Sequence, residues 1–291
     1  MTGSPFDLQS PEAYAAWRHH KLAVPPPTEA TLLVKIKDPR ALTATEHTAL
    51  SARIRQWNMA LYAGTTLEAD PGIPRQLGAQ FGLNHLDANW LADEDGISKI
   101  SVQEGDTREA YIPYTNRPLK WHTDGYYNPQ DRLIRGMLLH CVHNAQTGGD
   151  NRLMDHEMAY LLLRDQNPEF IRALMQPDAM VIPERVDEVD GIRPQQGGAV
   201  FSVDDASGRL HMRYTARTRS IAWNKDETTR AAVVALETLL AQPSPHIVRT
   251  RLTPGMGLLC NNVLHDRSGF IDDPQRPRLL YRARYLDSIT G

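Results

Sequence analysis

Cysteine is nearly absent. Cys141 and Cys260 are the two in 291 residues, each inside an apolar run, which excludes a disulfide-stapled scaffold. They read as small buried hydrophobes in a reducing compartment, with a bridge between them left open. No run of about 18 apolar residues occurs, and the N-terminus lacks the apolar centre of a signal peptide. Cytoplasmic residence without a membrane partner is the expectation. Neither charge dominates: 32 Lys and Arg face 35 Asp and Glu, a formal net charge of -3, so the basic footprint of a nucleic-acid binder is missing. There is no internal repeat, no low-complexity segment and no linker long enough to divide the chain. Residues 30–291 are therefore expected to form a single domain behind an N-terminal extension, 1–29, and a small soluble molecule is the remaining class of partner. A homo-oligomer is left open.

What is present is a succession of short apolar runs. Ala30–Ile36 reads as a first strand, and Thr43-Ala44-Thr45-Glu46 has the spacing of a capping box. After it Leu50, Ile54, Trp57 and Leu61 recur every three or four residues, predicting an amphipathic helix over 44–62. A short helix is expected between Pro71 and Asn89, a strand over Ile97–Gln103, a turn over Gly105–Glu109 and a buried strand over Leu133–Val142. His140 and His143 in that strand read as core or edge histidines. Helices are expected over Met154–Leu163, Pro168–Met175 and Asp226–Leu240, and a hairpin over Ala199–Asp204 and Arg209–Thr215. The stretch 184–199 has no periodicity and reads as a flap or a solvated loop. His246–Leu252, Met256–Leu264 and Arg276–Tyr285 complete a pattern of many short strands with a few flanking helices, a mainly β domain.

The chemistry concentrates at Trp121-His122-Thr123-Asp124. In extended chain, residues two apart project from one face, so the His122 imidazole and the Asp124 carboxylate aim at one point. A second imidazole, His265, closes the run Met256–Leu264. Two histidines and one carboxylate are the donor set of a facial triad, which leaves the opposite face of an octahedral metal open.

With Trp121-His122-Thr123-Asp124, the Thr147-Gly148-Gly149-Asp150 turn, Asn261-x-x-x-His265 and the arginines of the last strand in this order, the chain resembles the taurine dioxygenase-like (TauD/TfdA) family of iron(II)/2-oxoglutarate-dependent dioxygenases. The resemblance runs from about residue 44 to the end. It implies a double-stranded β-helix, the jelly roll of cupin-like proteins. It also implies Fe(II) held by His122, Asp124 and His265, with 2-oxoglutarate as cosubstrate and O2 as oxidant. Arg278 would take the far carboxylate of 2-oxoglutarate bidentately; Arg276 is the neighbouring alternative, next to a proline and closer to the loop. Asn151 stands where relatives often carry a cosubstrate-binding threonine. Arg282 completes an arginine, three-residue, arginine pattern and would sit near the iron. The implied reaction is oxidative decarboxylation of 2-oxoglutarate to succinate and CO2, coupled to hydroxylation of an unactivated C–H bond.

For the substrate, Tyr126, Tyr127 and Asn128, directly after the metal strand, and Arg213 with Tyr214 are the candidate pocket residues. Arg213, Arg217 and Arg219 read either as a solvated basic face or as a cationic wall. A small polar metabolite, anionic or zwitterionic, is the expectation. The alternatives are a metal-dependent, non-redox hydrolase or isomerase on a cupin-type barrel and a non-catalytic ligand-binding member of the fold.

Overall fold

A computed structural model describes residues 3–87, 96–103, 105, 111–187, 191–218 and 221–289. The helix Ala44–Trp57 begins at the capping box the sequence predicts: the Glu46 amide donates to Thr43 Oγ1, and the Glu46 carboxylate accepts from the Thr43 amide at 2.7 Å. It ends five residues earlier than its apolar period suggests. Asn58 takes the left-handed conformation at φ 57°, which asparagine tolerates as a helix terminator. Met59–Ala63 is then a strand buried on both faces, so its apolar residues merely prolong the helical pattern.

Ten strands build two sheets. In chain order they are β1 Leu33–Lys35, β2 Met59–Ala63, β3 Ser98–Ile100, β4 Leu119–His122, β5 Gly136–His143, β6 Asn151–Met154, β7 Val248–Thr250, β8 Met256–Cys260, β9 Leu264–Arg267 and β10 Leu279–Tyr285. The larger sheet runs β1-β2-β8-β5-β10-β3 and is antiparallel except between β1 and β2. The smaller, β7-β6-β9-β4, is antiparallel throughout. From β4 onward the chain crosses between sheets at almost every step, which winds a jelly roll.

Side-chain alternation sorts the core into layers. Leu139, Cys141, Leu153, Leu258, Val263 and Leu280 meet between the sheets. On β10 the intervening Tyr281, Ala283 and Tyr285 pack outward with Leu50, Ile54 and Leu77 of two helices. Trp121, Met154 and Leu264 of the smaller sheet pack with the helices His156–Gln166, Pro168–Leu174 and Glu227–Ala241. Because Trp121 and Leu264 enter this helical layer, His122 and His265 next to them turn into the sandwich.

Several boundaries differ from the sequence reading. A one-turn helix, Glu29–Leu32, precedes β1, and the helix expected between Pro71 and Asn89 is confined to Ile73–Ala79. His265 is not carried by the strand that starts at Met256. That strand stops at Cys260, Asn262 turns the chain at φ 47°, and β9 begins in the other sheet. The stretch 184–199 carries short strands where it is described. Arg185–Asp187 pairs with Gly191–Arg193, and Gln196–Gly198 pairs with Met180–Ile182. The hairpin of Phe201–Val203 with Leu210–Met212 forms as expected. The turn read at Gly105–Glu109, beyond Gly105 itself, and Arg219 lie outside the described residues.

The N-terminal segment is bound to the body of the protein. Helix Pro11–Leu22 places Lys21, 7% exposed, with its Nζ 2.7 Å from Asp155 and 2.6 Å from Glu157. Cys141 and Cys260 are both free and buried, and burial pushes each thiol up to about 12. Among the described residues no helix is long and apolar enough to cross a membrane.

Candidate metal and cosubstrate centre

His122 ends β4, His265 lies on β9, and the two are direct partners in the strand register. Their rings stand 4.2 Å apart between centroids. Each ring's Nδ1 lies 2.9 Å from a main-chain carbonyl, Lys120 O for His122 and Val263 O for His265. A carbonyl only accepts, so both Nδ1 atoms carry the proton and both Nε2 atoms present a lone pair. Asp124 follows two residues after His122, beyond the end of the strand, and its Oδ1 is 3.6 Å from His122 Nε2. The donor atoms of the three residues all lie within 4.8 Å of one another, and all three residues are buried.

These electrostatics suit a cation. Burial works against the charged form of Asp124, yet the Arg282 guanidinium at 3.2 Å outweighs it and holds the carboxyl well below its usual range. Burial and the neighbouring His122 push His265 down to about 3, so it stays neutral. Asp124 Oδ2 is buried without a hydrogen-bond partner. An unpartnered carboxylate oxygen facing two imidazole lone pairs is costly unless a cation joins them, and two imidazoles with one carboxylate is a donor set for a first-row divalent metal.

A second unsatisfied group lies just before β10. Arg278 is 5% exposed, and its Nη1 finds no partner. The guanidinium sits over the Phe270 ring at 5.1 Å, and Gly149 lies beside it, where a Cβ would make an ordinary contact at 3.6 Å from Arg278 Nε. Burial lowers its pKa, so the position wants an anion. Arg276 is exposed in a turn. Asn151 Nδ2 already donates to Asp266 O at 2.9 Å, and its Oδ1 is buried and unpartnered.

The pocket candidates divide. Tyr126 Oη accepts from Arg217 Nη1 at 3.1 Å, and Tyr127 Oη accepts from Arg284 Nη1 at 2.7 Å. Asn128 holds the turn, its amide on Gly125 O and its Nδ2 on Arg132 O. The side chains of Arg213 and Tyr214 lie apart from the triad, and Tyr214 lines a cleft beside Trp121. Arg213 is enclosed and donates to the carbonyls of Met180 and Gln196, while Tyr214 packs in the helical layer. His140 has its Nδ1 3.0 Å from Tyr62 Oη, in the outer layer and away from the triad. A cleft of about 900 Å³ opens beside Trp121, Arg152 and Asp266, but none of the triad lines it.

Two participants escape the sequence reading. Asp87 accepts from Arg132 and Arg284, and Asn262 binds the main chain of Asp124. A non-glycine turn residue at positive φ is the only trace Asn262 leaves in the pattern, and φ is not visible in a sequence.

A jelly roll with two histidines and a carboxylate between its sheets is the arrangement that the taurine dioxygenase-like resemblance implies. A family model, "Taurine catabolism dioxygenase TauD, TfdA family", matches residues 23–284, and the chain belongs to that family. A uridine-5'-phosphate dioxygenase from an Amycolatopsis species is 32% identical over 58% of this chain and 61% of its own length. Another of the same description from a Streptomyces species is 28% identical over 67% of this chain and 71% of its own. Among solved structures, asparagine oxygenase in complex with Fe(II), 3-hydroxyasparagine and succinate superposes with a TM-score of 0.61 at 16% identity, covering 98% of this chain and 86% of that one. The family does not favour a non-redox hydrolase, an isomerase or a non-catalytic binder.

Proposed function

We propose that His122, Asp124 and His265 hold Fe(II), and that the chain couples oxidative decarboxylation of 2-oxoglutarate to hydroxylation of a C–H bond in a small anionic metabolite. The observation that carries this reading is the convergence of two Nε2 lone pairs on a buried carboxylate with one unpartnered oxygen. Bound iron would supply the activation of O2 that the side chains cannot. The chain's own part is positional. Arg278 pairs with the far carboxylate of 2-oxoglutarate, and the Phe270 ring supports its guanidinium. Arg282 keeps Asp124 ionised. Asn151, with one amide N–H beyond the one given to Asp266 O, offers a further donor to the cosubstrate.

For the substrate we propose a nucleoside 5'-monophosphate, with uridine 5'-phosphate the first to test. The names of two relatives support it, as does Arg217, a cation held beside Tyr126 just after the metal strand. Hydroxylation of a carbon that bears a phosphoester oxygen would collapse to a carbonyl compound and inorganic phosphate. The test is an anaerobic titration of metal-free protein with Fe(II) and then 2-oxoglutarate, followed by turnover in air with the nucleotide. A weak visible charge-transfer band, then succinate with phosphate release, is the expected result. Iron-loaded protein that gives no band with 2-oxoglutarate would overturn the dioxygenase reading; a band without turnover of uridine 5'-phosphate would overturn that substrate alone.

A further inference from the structure

Asp124 presents a structural problem that His122 and His265 do not. Both histidines belong to paired strands, whose ladders fix the main chain. Asp124 lies outside β4, in a turn where Gly125 adopts φ 68°. A ligand on a turn needs some other restraint if its carboxylate is to meet two imidazoles within a few tenths of an ångström.

Arg282 holds the carboxylate itself, and one further side chain holds the main chain. Asn262 Oδ1 accepts from the Asp124 amide at 2.8 Å, and Asn262 Nδ2 donates to Asp124 O at 2.9 Å. The amide thus binds both main-chain polar groups of one residue, as a neighbouring strand would. The second N–H of Nδ2 reaches Ile134 O at 2.6 Å, just before β5. Ile134 also crowds the turn, since a Cβ on Gly125 would fall 2.2 Å from its Cγ1. Asn262 is 1% exposed and sits at φ 47°, a conformation that asparagine accepts more readily than most residues. It also lies three residues before His265, in the turn that leads from β8 to β9. Whatever fixes Asn262 therefore fixes the spacing between the carboxylate and the distal histidine.

We propose that Asn262 is a positioning residue for the metal centre: a side-chain substitute for a strand partner that sets Asp124 relative to His265. This rests on the triad being the metal site. It does not depend on which substrate is oxidised.

The test uses Co(II) as a spectroscopic probe of the full-length protein. Asn262→Gly keeps the left-handed turn and removes the clamp. Co(II) affinity should fall about tenfold or more, the range typical of groups that orient metal ligands, and the visible ligand-field bands should shift. A glycine variant with wild-type affinity and bands would overturn the proposal. Should that variant not fold, Asn262→Asp keeps the shape and the acceptor but loses both donors, and wild-type Co(II) binding by it would be equally fatal. A third measurement needs no variant: in metal-free wild-type protein the Asp124 amide should exchange with deuterium as slowly as the amides of β9, and rapid exchange would show that no clamp exists. Wild-type protein that fails to bind Co(II) at all would instead refute the triad reading, a distinguishable result.

Discussion

At the scale of single residues, the centre is defined by groups left without partners. Asp124 Oδ2 and Arg278 Nη1 are both buried and unsatisfied, and opposite charges in such positions mark where a cation and an anion belong. Two predictions follow from their separation into two roles. His265→Ala removes an Nε2 donor and should reduce Fe(II) binding to background in an anaerobic titration, with the thermal midpoint little changed; retained stoichiometric iron would remove His265 from the site. Arg278→Ala should leave iron binding intact and raise the Michaelis constant for 2-oxoglutarate by about thirtyfold or more, the cost of a lost buried charge pair. Arg276→Ala, at an exposed turn, should change it by less than about twofold, and the opposite ranking would move the cosubstrate anchor. Arg217→Ala should raise the Michaelis constant for uridine 5'-phosphate without touching that for 2-oxoglutarate; a shared rise would mean that Arg217 supports the fold near Tyr126 rather than a phosphate.

At the scale of elements, the turns decide which ligands can meet. Gly125→Ala places a methyl against Ile134 at φ 68° and should weaken Co(II) binding more than it lowers the thermal midpoint, because the strain falls on the turn that carries Asp124. Thr43→Ala is the contrasting case. It breaks a capping box remote from the centre, should cost about 1 kcal/mol of stability, and should leave metal affinity unchanged in the same titration. Elements of this kind also explain what was legible beforehand. Capping boxes, apolar alternation and the His122, Asp124, His265 pattern depend on spacing within a short stretch, which a sequence displays directly. The end of the helix at Asn58 and the break at Asn262 depend on backbone angles, and the apolar residues on either side conceal both. Arg213 looked like a pocket wall because nothing local announces that its guanidinium meets the carbonyls of Met180 and Gln196. Those contacts are made by the tertiary fold, as is the pairing of Asp87 with Arg284 across 197 positions.

At the scale of the whole molecule, buried ionisable groups tie stability to pH in a definite direction. Burial pushes His140 down to about 4, and burial together with His156, Arg135 and Arg213 pushes His211 down to about 3. An unfolded histidine titrates at about pH 6.5. Between about pH 6.5 and about 4 the unfolded chain therefore takes up protons that the folded chain refuses. Their contribution to stability is complete above pH 6.5 and is lost as the pH falls through that window, at a limiting slope of about 1.4 kcal/mol per pH unit for each group. Acid destabilisation of the metal-free protein should thus begin near pH 6.5 rather than near the carboxylate range. The cluster of Lys21, Asp155 and Glu157 adds a later loss: burial opposes the charge on Asp155, but Lys21 and His156 outweigh it and lower its pKa, so its contribution disappears only below about pH 4. Urea denaturation at half-unit steps from about pH 8 to about pH 2.5 reads both effects. His211→Asn should flatten the upper part of the curve while leaving the carboxylate-dependent part in place. A wild-type curve that is flat from pH 7 to pH 5 would show that these histidines take up protons without unfolding, and that the layers around His140 and His211 admit solvent.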